Sequence, residues 1–130
     1  MIPKYRAWDK YTKEMYQADD VVDVDIDKME ILVKKPSFKR LSYNFMSGIK
    51  LMASTGFRDI DGKDIFNEDI VISRCGLFKG IIIIDQNLGA YVIRLIGYKN
   101  RVRLKTVANT VKVIGNFYEN PELWKDEGNE

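Results

Sequence analysis

The sequence predicts a mainly β protein with a small β-barrel in its C-terminal half. Five short runs rich in β-branched residues follow one another from Asp69 onward, and turn residues separate them. Glycines at positions 76, 80, 89, 97 and 115 lie where hairpin turns or barrel bends need them. Such close spacing of short strands favours a barrel over a large open sheet.

The N-terminal portion is also predicted to be β-rich. From residue 22 to residue 27, apolar and acidic residues alternate, which predicts an exposed strand with one apolar face and one acidic face. Residues 30–33 are expected to return antiparallel to it, and Pro36 ends that pairing. The apolar members of the alternating strand are Val22, Val24 and Ile26.

One short helix is predicted next, over residues 37–46. Apolar residues in this region are three and four positions apart, as on one face of a helix. Gly48 weakens the second half of the pattern. The apolar residues are Phe38, Leu41, Phe45, Ile49 and Met52.

The C-terminal half is predicted to contain five strands. They cover residues 70–74, 80–84, 90–96, 101–104 and 111–117.

Composition argues against enzymatic chemistry. The 130 residues suffice for one globular domain, and 21 basic against 19 acidic residues leave a net charge of only +2. No histidine is present, and the one cysteine, Cys75, cannot form an intramolecular disulfide. We therefore expect no enzyme and no cofactor, with a carboxylate-based metal activity as the remaining alternative.

The beginning of the chain and its apolar runs bear on localisation. Lys4 and Arg6 place charges close to the start, so we expect no secretory signal. The longest apolar run, residues 81–84, is too short to span a bilayer. We expect a cytoplasmic protein with no membrane partner.

Three segments, in order, resemble one known family. The first contains Arg6, Trp8 and Asp9, and the third is V-I-G-N-F-Y-E-N-P-E-L at residues 113–123. The second, residues 51–71, resembles L-M-Q-x-T-G-L-x-D-x-N-G-K-E-I-Y-E-G-D-I-V. It keeps Thr55, Gly56, Asp59, Gly62, Lys63, Ile65 and Asp69 in register. The chain resembles the YopX family, small proteins found mostly in phages and prophages of Gram-positive bacteria.

The resemblance implies an SH3-like β-barrel over residues 55–120. A β-rich subdomain, residues 1–54, precedes it, and a polar tail, residues 121–130, follows. It also implies a phage or prophage accessory protein in the host cytoplasm, without an assigned activity. Glu68 departs from the family pattern, which usually has glycine there, so a turn with positive φ would strain this residue.

The acidic residues of the second segment have two interpretations. The favoured one is a hairpin turn at Asp61 and Gly62, with Asp59 and Asp69 bonding nearby backbone N–H groups. The alternative is a Mg²⁺ or Ca²⁺ site at Asp59, Asp61 and Asp69, since these ions prefer oxygen ligands.

Basic residues between positions 94 and 105 alternate with apolar ones and lie near Tyr91 and Tyr98. An ordinary half-exposed strand surface is the favoured interpretation, and nucleic-acid binding is the alternative. A second basic cluster, residues 34–40, is predicted to be a loop. The predicted nucleic-acid contacts are Arg94, Arg101, Arg103 and Lys105.

The favoured function is a non-enzymatic module that binds a protein partner or a second copy of itself. Trp124 in particular must pack on the domain or on another chain. The predicted partner surface consists of Phe57, Asp59, Asp61, Lys63, Tyr118 and Trp124, with Leu123 beside them.

Overall fold

A computed structural model of the chain describes residues 4–34, 40–44 and 48–124. The protein is mainly β. Its strands are β1 (Tyr5–Asp9), β2 (Glu14–Tyr16), β3 (Val21–Asp25), β4 (Glu30–Lys34), β5 (Arg40–Asn44), β6 (Ile49–Arg58), β7 (Asp64–Phe66), β8 (Asp69–Ser73), β9 (Lys79–Asp85), β10 (Ala90–Leu95), β11 (Arg101–Arg103) and β12 (Val111–Asn116). Its short α-helices are α1 (Leu104–Val107) and α2 (Pro121–Trp124).

The chain divides into two compact units, an N-terminal unit of Met1–Ala53 and a C-terminal unit of Ser54–Glu130. Strand β6 crosses this division. Its first half pairs with β1 in the N-terminal unit, and its second half pairs with β7 in the C-terminal unit. No helix within the described ranges is long and apolar enough to cross a membrane.

The N-terminal unit contains a three-stranded antiparallel sheet, ordered β3-β4-β5. The return of β4 along β3 confirms the antiparallel pairing that the sequence predicts. The hydroxyl groups of Tyr16 and Tyr43 lie 2.8 Å apart and hydrogen-bond beside the core. That core consists of Ala7, Tyr16, Ile31, Val33 and Ile49.

A β-bulge in β3 changes which of its apolar residues face the core. Val21 lies opposite Val33 and Asp23 lies opposite Leu32, so Val22 is the extra residue. The bulge shifts the alternation, and Val21 and Val24 are the residues that pack against the core. The expectation that Val22, Val24 and Ile26 share one face is wrong, because the bulge separates Val22 from Val24. The strand is exposed, as predicted, with Val22 44% and Ile26 60% exposed.

Strand β5 lies where the sequence predicts a helix. Leu41 pairs with Val33, and Tyr43 pairs with Ile31 and packs against the core. The predicted helix is therefore wrong at residues 40–44, because the ladder with β4 uses a period of two and overrides the helical spacing. The rest of that helix, at 37–39 and 45–46, lies outside the described residues, as do positions 35–39 of the second basic cluster.

The C-terminal unit contains a five-stranded antiparallel sheet, ordered β11-β10-β9-β8-β12. These strands confirm the five that the sequence predicts in this half. One face of the sheet carries the larger core, formed by Ile65, Val71, Ile82, Ile93, Leu104, Ala108, Val111 and Val113. Closure of this sheet into an SH3-like barrel stays a prediction.

The burial of β9 explains the first half of the long apolar run at residues 81–84, whereas Ile84 at its end is 50% exposed. Ile82 belongs to the larger core, whereas Ile81 points to the opposite face and is also buried. A strand buried on both faces needs apolar residues at successive positions. Of the predicted polar tail, the first four residues form α2, and residues 125–130 lie outside the described part of the chain.

Candidate functional site

Asp59 organises the turn between β6 and β7. It is only 4% exposed, and its Oδ1 accepts backbone N–H bonds from Asp61 and Lys63, each at 2.9 Å. Its Oδ2 accepts the N–H of Val113 on β12, also at 2.9 Å. One carboxylate thus closes the hairpin and attaches it to a strand 54 positions away.

These bonds also explain the electrostatics of Asp59. Burial opposes ionisation, but the N–H groups of Val113, Lys63 and Asp61 outweigh it and hold the pKa of this carboxyl below its usual value. Asp69, which is fully buried, accepts the N–H of Phe66 at 2.8 Å. The interpretation of Asp59 and Asp69 as residues that fix backbone N–H groups is confirmed.

The alternative of a metal site finds no geometric support in this turn. Both oxygens of Asp59 already accept backbone N–H bonds. Across residues 4–34, 40–44 and 48–124, no group of three or more His, Cys, Asp or Glu residues is placed to hold a metal ion.

Glu68 has a positive φ, at a position where the family pattern usually has glycine. Its φ is +70°, in the left-handed region that favours glycine. Two backbone bonds fix it there, from the N–H of Glu68 to the carbonyl of Ile82 at 2.8 Å and from the N–H of Phe117 to the carbonyl of Glu68 at 3.0 Å. Burial and the neighbouring Glu68 carboxylate, which can accept from the Tyr118 hydroxyl, raise the pKa of Tyr118.

The third family segment folds into a turn after β12. Asn116 accepts the N–H groups of Tyr118 and Glu119 at 3.0 and 2.8 Å, and its amide donates to the Glu119 carboxylate at 2.8 Å. The turn leads into α2, where Trp124 is half-buried beneath the Arg94 guanidinium, 5.7 Å from its ring centroid. Trp124 therefore packs on its own unit, which is the first of its two predicted alternatives.

The four predicted nucleic-acid contacts separate into two pairs. Arg94 stacks on Trp124, and Arg101 forms an ion pair with Asp85 at 3.1 Å. Arg103 and Lys105 are exposed, and neither has an ion-pair partner among the described residues. The second pair has neither an ion pair nor an aromatic contact among the described residues.

Arg103 and Lys105 line a cleft of about 500 Å³ in the C-terminal unit, which we call the aromatic–basic cleft. Its other lining residues include the rings of Phe57 and Tyr91, both half-buried against the larger core. Its remaining lining residues are Ala90 and Thr106.

A second concave surface lies in the N-terminal unit, along β3. This groove of about 560 Å³ is lined by the exposed side chains of Val22 and Ile26 and by the carboxylates of Asp19 and Asp23. We call it the β3 groove. Its other lining residues are Lys4, Tyr5, Ala18, Val21 and Val24.

The residues of the predicted partner surface differ in their exposure. Asp59 is buried, so its assignment as a surface residue is wrong. Asp61 and Lys63 are exposed at the tip of the turn, whereas Tyr118 and Trp124 are half-buried. Phe57 instead joins the predicted nucleic-acid contacts Arg103 and Lys105 in one cleft.

Sequence reasoning predicted part of each concave surface but missed the residues that complete it. The aromatic–basic cleft combines Phe57 with residues that are more than 30 positions away, and only the fold makes them neighbours. The β3 groove adds Lys4, Tyr5, Ala18 and Asp19 to the alternating residues of β3, and the alternating pattern alone does not reveal these neighbours.

Comparisons with known proteins agree on one family. The family model described as YopX protein matches residues 4–125. No curated protein matches this sequence.

Two solved structures are similar over nearly the whole chain. The crystal structure of protein EF1440 from Enterococcus faecalis has a TM-score of 0.66 and 25% sequence identity, covering 96% of this chain and 99% of that one. The crystal structure of protein yopX from Bacillus subtilis has a TM-score of 0.62 and 21% identity, covering 94% of this chain and 98% of that one. Since the family model spans nearly all of the sequence, the chain belongs to the YopX family.

Proposed function

We propose that this YopX-family chain is a non-enzymatic phage or prophage accessory protein that binds a partner protein through the β3 groove. The observation that carries the proposal is the exposed edge strand β3, whose apolar side chains line a groove. The phage or prophage setting rests on the family resemblance, and a cytoplasmic location fits it.

Strand β3 offers the features that strand addition needs. Among the described strands of its sheet, it has a neighbour on one side only, namely β4. Val22 and Ile26 expose 44% and 60% of their surface along it. An extended peptide that adds to a sheet edge gains main-chain hydrogen bonds and places alternate side chains in such grooves.

Charge indicates the chemistry of the partner segment. Asp19 and Asp23 line the β3 groove together with one cation, Lys4, so a segment that alternates basic and apolar residues complements its acidic excess. The same carboxylates disfavour pairing between the β3 strands of two copies, because like charges would face each other. We therefore favour a basic segment of another protein over a symmetric homo-oligomer.

A defined peptide tests this proposal. A fluorescein-labelled peptide of alternating lysine and valine is titrated with the protein, and anisotropy gives its affinity. We expect the double variant Val22→Ser/Ile26→Ser to weaken binding by about tenfold, as expected when two apolar contacts are lost. The matched control is Leu77→Ser, which removes another apolar side chain, 77% exposed, outside the groove.

Two results contradict the proposal. One is equal affinity for a peptide with glutamate in place of lysine. The other is equal weakening by Leu77→Ser. Light scattering after size-exclusion chromatography tests the alternative of self-association. A discrete homo-oligomer that is lost in the double variant would show that the β3 groove binds a second copy of the chain.

The turn tip formed by Asp61 and Lys63 stays a second predicted partner surface. Both side chains are exposed, whereas Asp59 behind them is committed to backbone bonds. Substitution of this pair by alanine leaves those backbone bonds available, so its effect on a complex reports contact and not folding.

A further inference from the structure

We propose that the aromatic–basic cleft binds single-stranded nucleic acid. The cleft is built from β6, β10, β11 and α1 of the C-terminal unit. The inference does not rest on the proposed partner-protein function, because none of its residues lies in the β3 groove.

Most residues of the cleft come from a basic stretch of sequence, which Asp85, the partner of Ala90, directly precedes, although the chain as a whole is nearly neutral. Residues 86–118 contain six basic residues and no acidic residue, a local charge of +6, against +2 for the whole chain. The six are Arg94, Lys99, Arg101, Arg103, Lys105 and Lys112. Such a local excess attracts phosphate groups, and it is hidden in the overall composition.

Within this basic region, two exposed cations line the cleft. Asp85 neutralises Arg101, and Arg94 lies over Trp124. Arg103 and Lys105 have no carboxylate partner among the described residues. They line the cleft from the end of β11 and the start of α1, and we expect each to contact a phosphate of the bound strand.

Two aromatic rings beside the cations offer surfaces on which bases can stack. Phe57 and Tyr91 line the cleft while packing against the larger core, so their positions are fixed before a ligand binds. A fixed ring face beside a cation is the combination on which unpaired bases stack while their phosphates are neutralised. Stacking tolerates any base, so little sequence preference is expected.

Alternative anionic ligands use only part of the cleft. A duplex presents its phosphates but keeps its bases stacked inside the helix, so the rings gain nothing. An acidic peptide pairs with the two cations and leaves the ring faces without a flat partner. The volume of about 500 Å³ accommodates a base and its sugar-phosphate, since small-ligand pockets occupy roughly 300–1,000 Å³.

The test is a fluorescence-anisotropy titration with a labelled, mixed-sequence DNA strand of about 12 nucleotides, a length typical of small single-strand-binding folds. We expect binding that weakens with salt, and a matched abasic strand bound about tenfold more weakly. Tyr91→Leu is expected to weaken binding by about tenfold, whereas Tyr91→Phe, which keeps the ring face, retains it.

A pair of charge variants completes the test. Arg103→Ala/Lys105→Ala is expected to make the slope of log affinity against log salt shallower by about 1.4, the value for two phosphate contacts on a single strand. Its matched control is Arg74→Ala/Lys112→Ala, which removes the same two residue types, both exposed, from outside the cleft. Thermal unfolding of each variant verifies that it folds.

Three results would overturn the inference: equal affinity for the intact and abasic strands, equal affinity for a duplex, or equal slopes in the two double variants. Tight binding of a single nucleotide, unchanged in the longer strand, would also overturn it in favour of a free nucleotide. Variants of Val22 and Ile26 should leave this binding unchanged, so failure here and failure of the proposed partner-protein function are distinguishable.

Discussion

At the scale of single residues, the acidic side chains of the central family segment hold the backbone in place. Asp59 bonds three backbone N–H groups, and Asp69 is fully buried with the N–H of Phe66 as a partner. The sequence indicates the turn correctly, because Asp followed by Gly is a strong hairpin signal. It could not indicate the bond to Val113, because that contact joins positions far apart in the chain.

Replacing Asp59 tests this structural role. We expect Asp59→Asn to lower the free energy of unfolding by about 2 kcal/mol, because hydrogen bonds to a charged acceptor are lost and an amide N–H₂ faces N–H donors. Urea unfolding followed by circular dichroism measures the change. Asp61→Asn, at the exposed tip, should stay within about 0.5 kcal/mol of the parent, and an equal loss there would argue against the role of Asp59.

Glu68 carries a strain that a double-mutant cycle can measure. Glu68→Gly relieves the positive φ, worth about 1 kcal/mol, but removes the acceptor of the Tyr118 hydroxyl, so the single variant should change stability little. In the background of Tyr118→Phe, where that bond is already absent, the same change should stabilise by about 1 kcal/mol. No gain in that background would show that the backbone is unstrained.

At the scale of elements, sequence patterns succeed where one period dominates. The strands β8 to β12 follow from β-branched runs between turn residues. The local pattern does not indicate β5, because Leu41 and Phe45 also fit helical spacing. The contacts that make this segment a strand, the pairing of Tyr43 with Ile31 and its bond to Tyr16, join residues far apart in the sequence. The bulge at Val22 escapes notice because local sequence does not specify which residue is left unpaired.

The contact between α2 and β12 depends on the lack of a side chain at Gly115. A Cβ there would lie 2.5 Å from the Asn120 Oδ1 and 2.9 Å from the Leu123 Cδ1. We expect Gly115→Ala to destabilise by about 1–3 kcal/mol through overpacking. Thermal unfolding checks this, and adding Leu123→Ala should recover part of the loss; no recovery would place the strain elsewhere.

At the scale of the whole molecule, the pH dependence of stability follows from a few groups. Burial opposes ionisation of Asp9 and Asp59, but backbone N–H donors outweigh it and lower both pKa values from 3.8. Burial, with acceptors beside the hydroxyl, raises the pKa of Tyr43 and Tyr118 above 10.0. No histidine titrates between these limits.

We therefore expect a plateau of stability between about pH 5 and pH 9. The lowered carboxyl pKa values contribute stability above pH 3.8 that is lost as pH falls through the folded-state values. The raised tyrosine pKa values contribute stability below pH 10.0 that is lost as pH rises further. Urea unfolding across pH checks this: Asp59→Asn should flatten the acid limb, and a slope within the plateau would contradict the assignment.

The two proposed binding surfaces are largely separate from the three family segments. The β3 groove and the aromatic–basic cleft lie largely outside those segments, and each shares one residue with them, Tyr5 and Phe57 respectively. Charge is segregated as well, with the carboxylates of Asp19 and Asp23 in the first surface and two cations in the second.

One measurement tests this separation most directly, a two-dimensional ¹H–¹⁵N NMR titration of the labelled protein with each ligand in turn. The alternating lysine–valine peptide should shift amide signals along β3, and the single DNA strand should shift those around Tyr91, Arg103 and Lys105. If both ligands instead shift signals in the Asp59–Lys63 turn and in α2 while leaving the two surfaces unchanged, binding belongs to the family segments and the assignment of both surfaces is wrong.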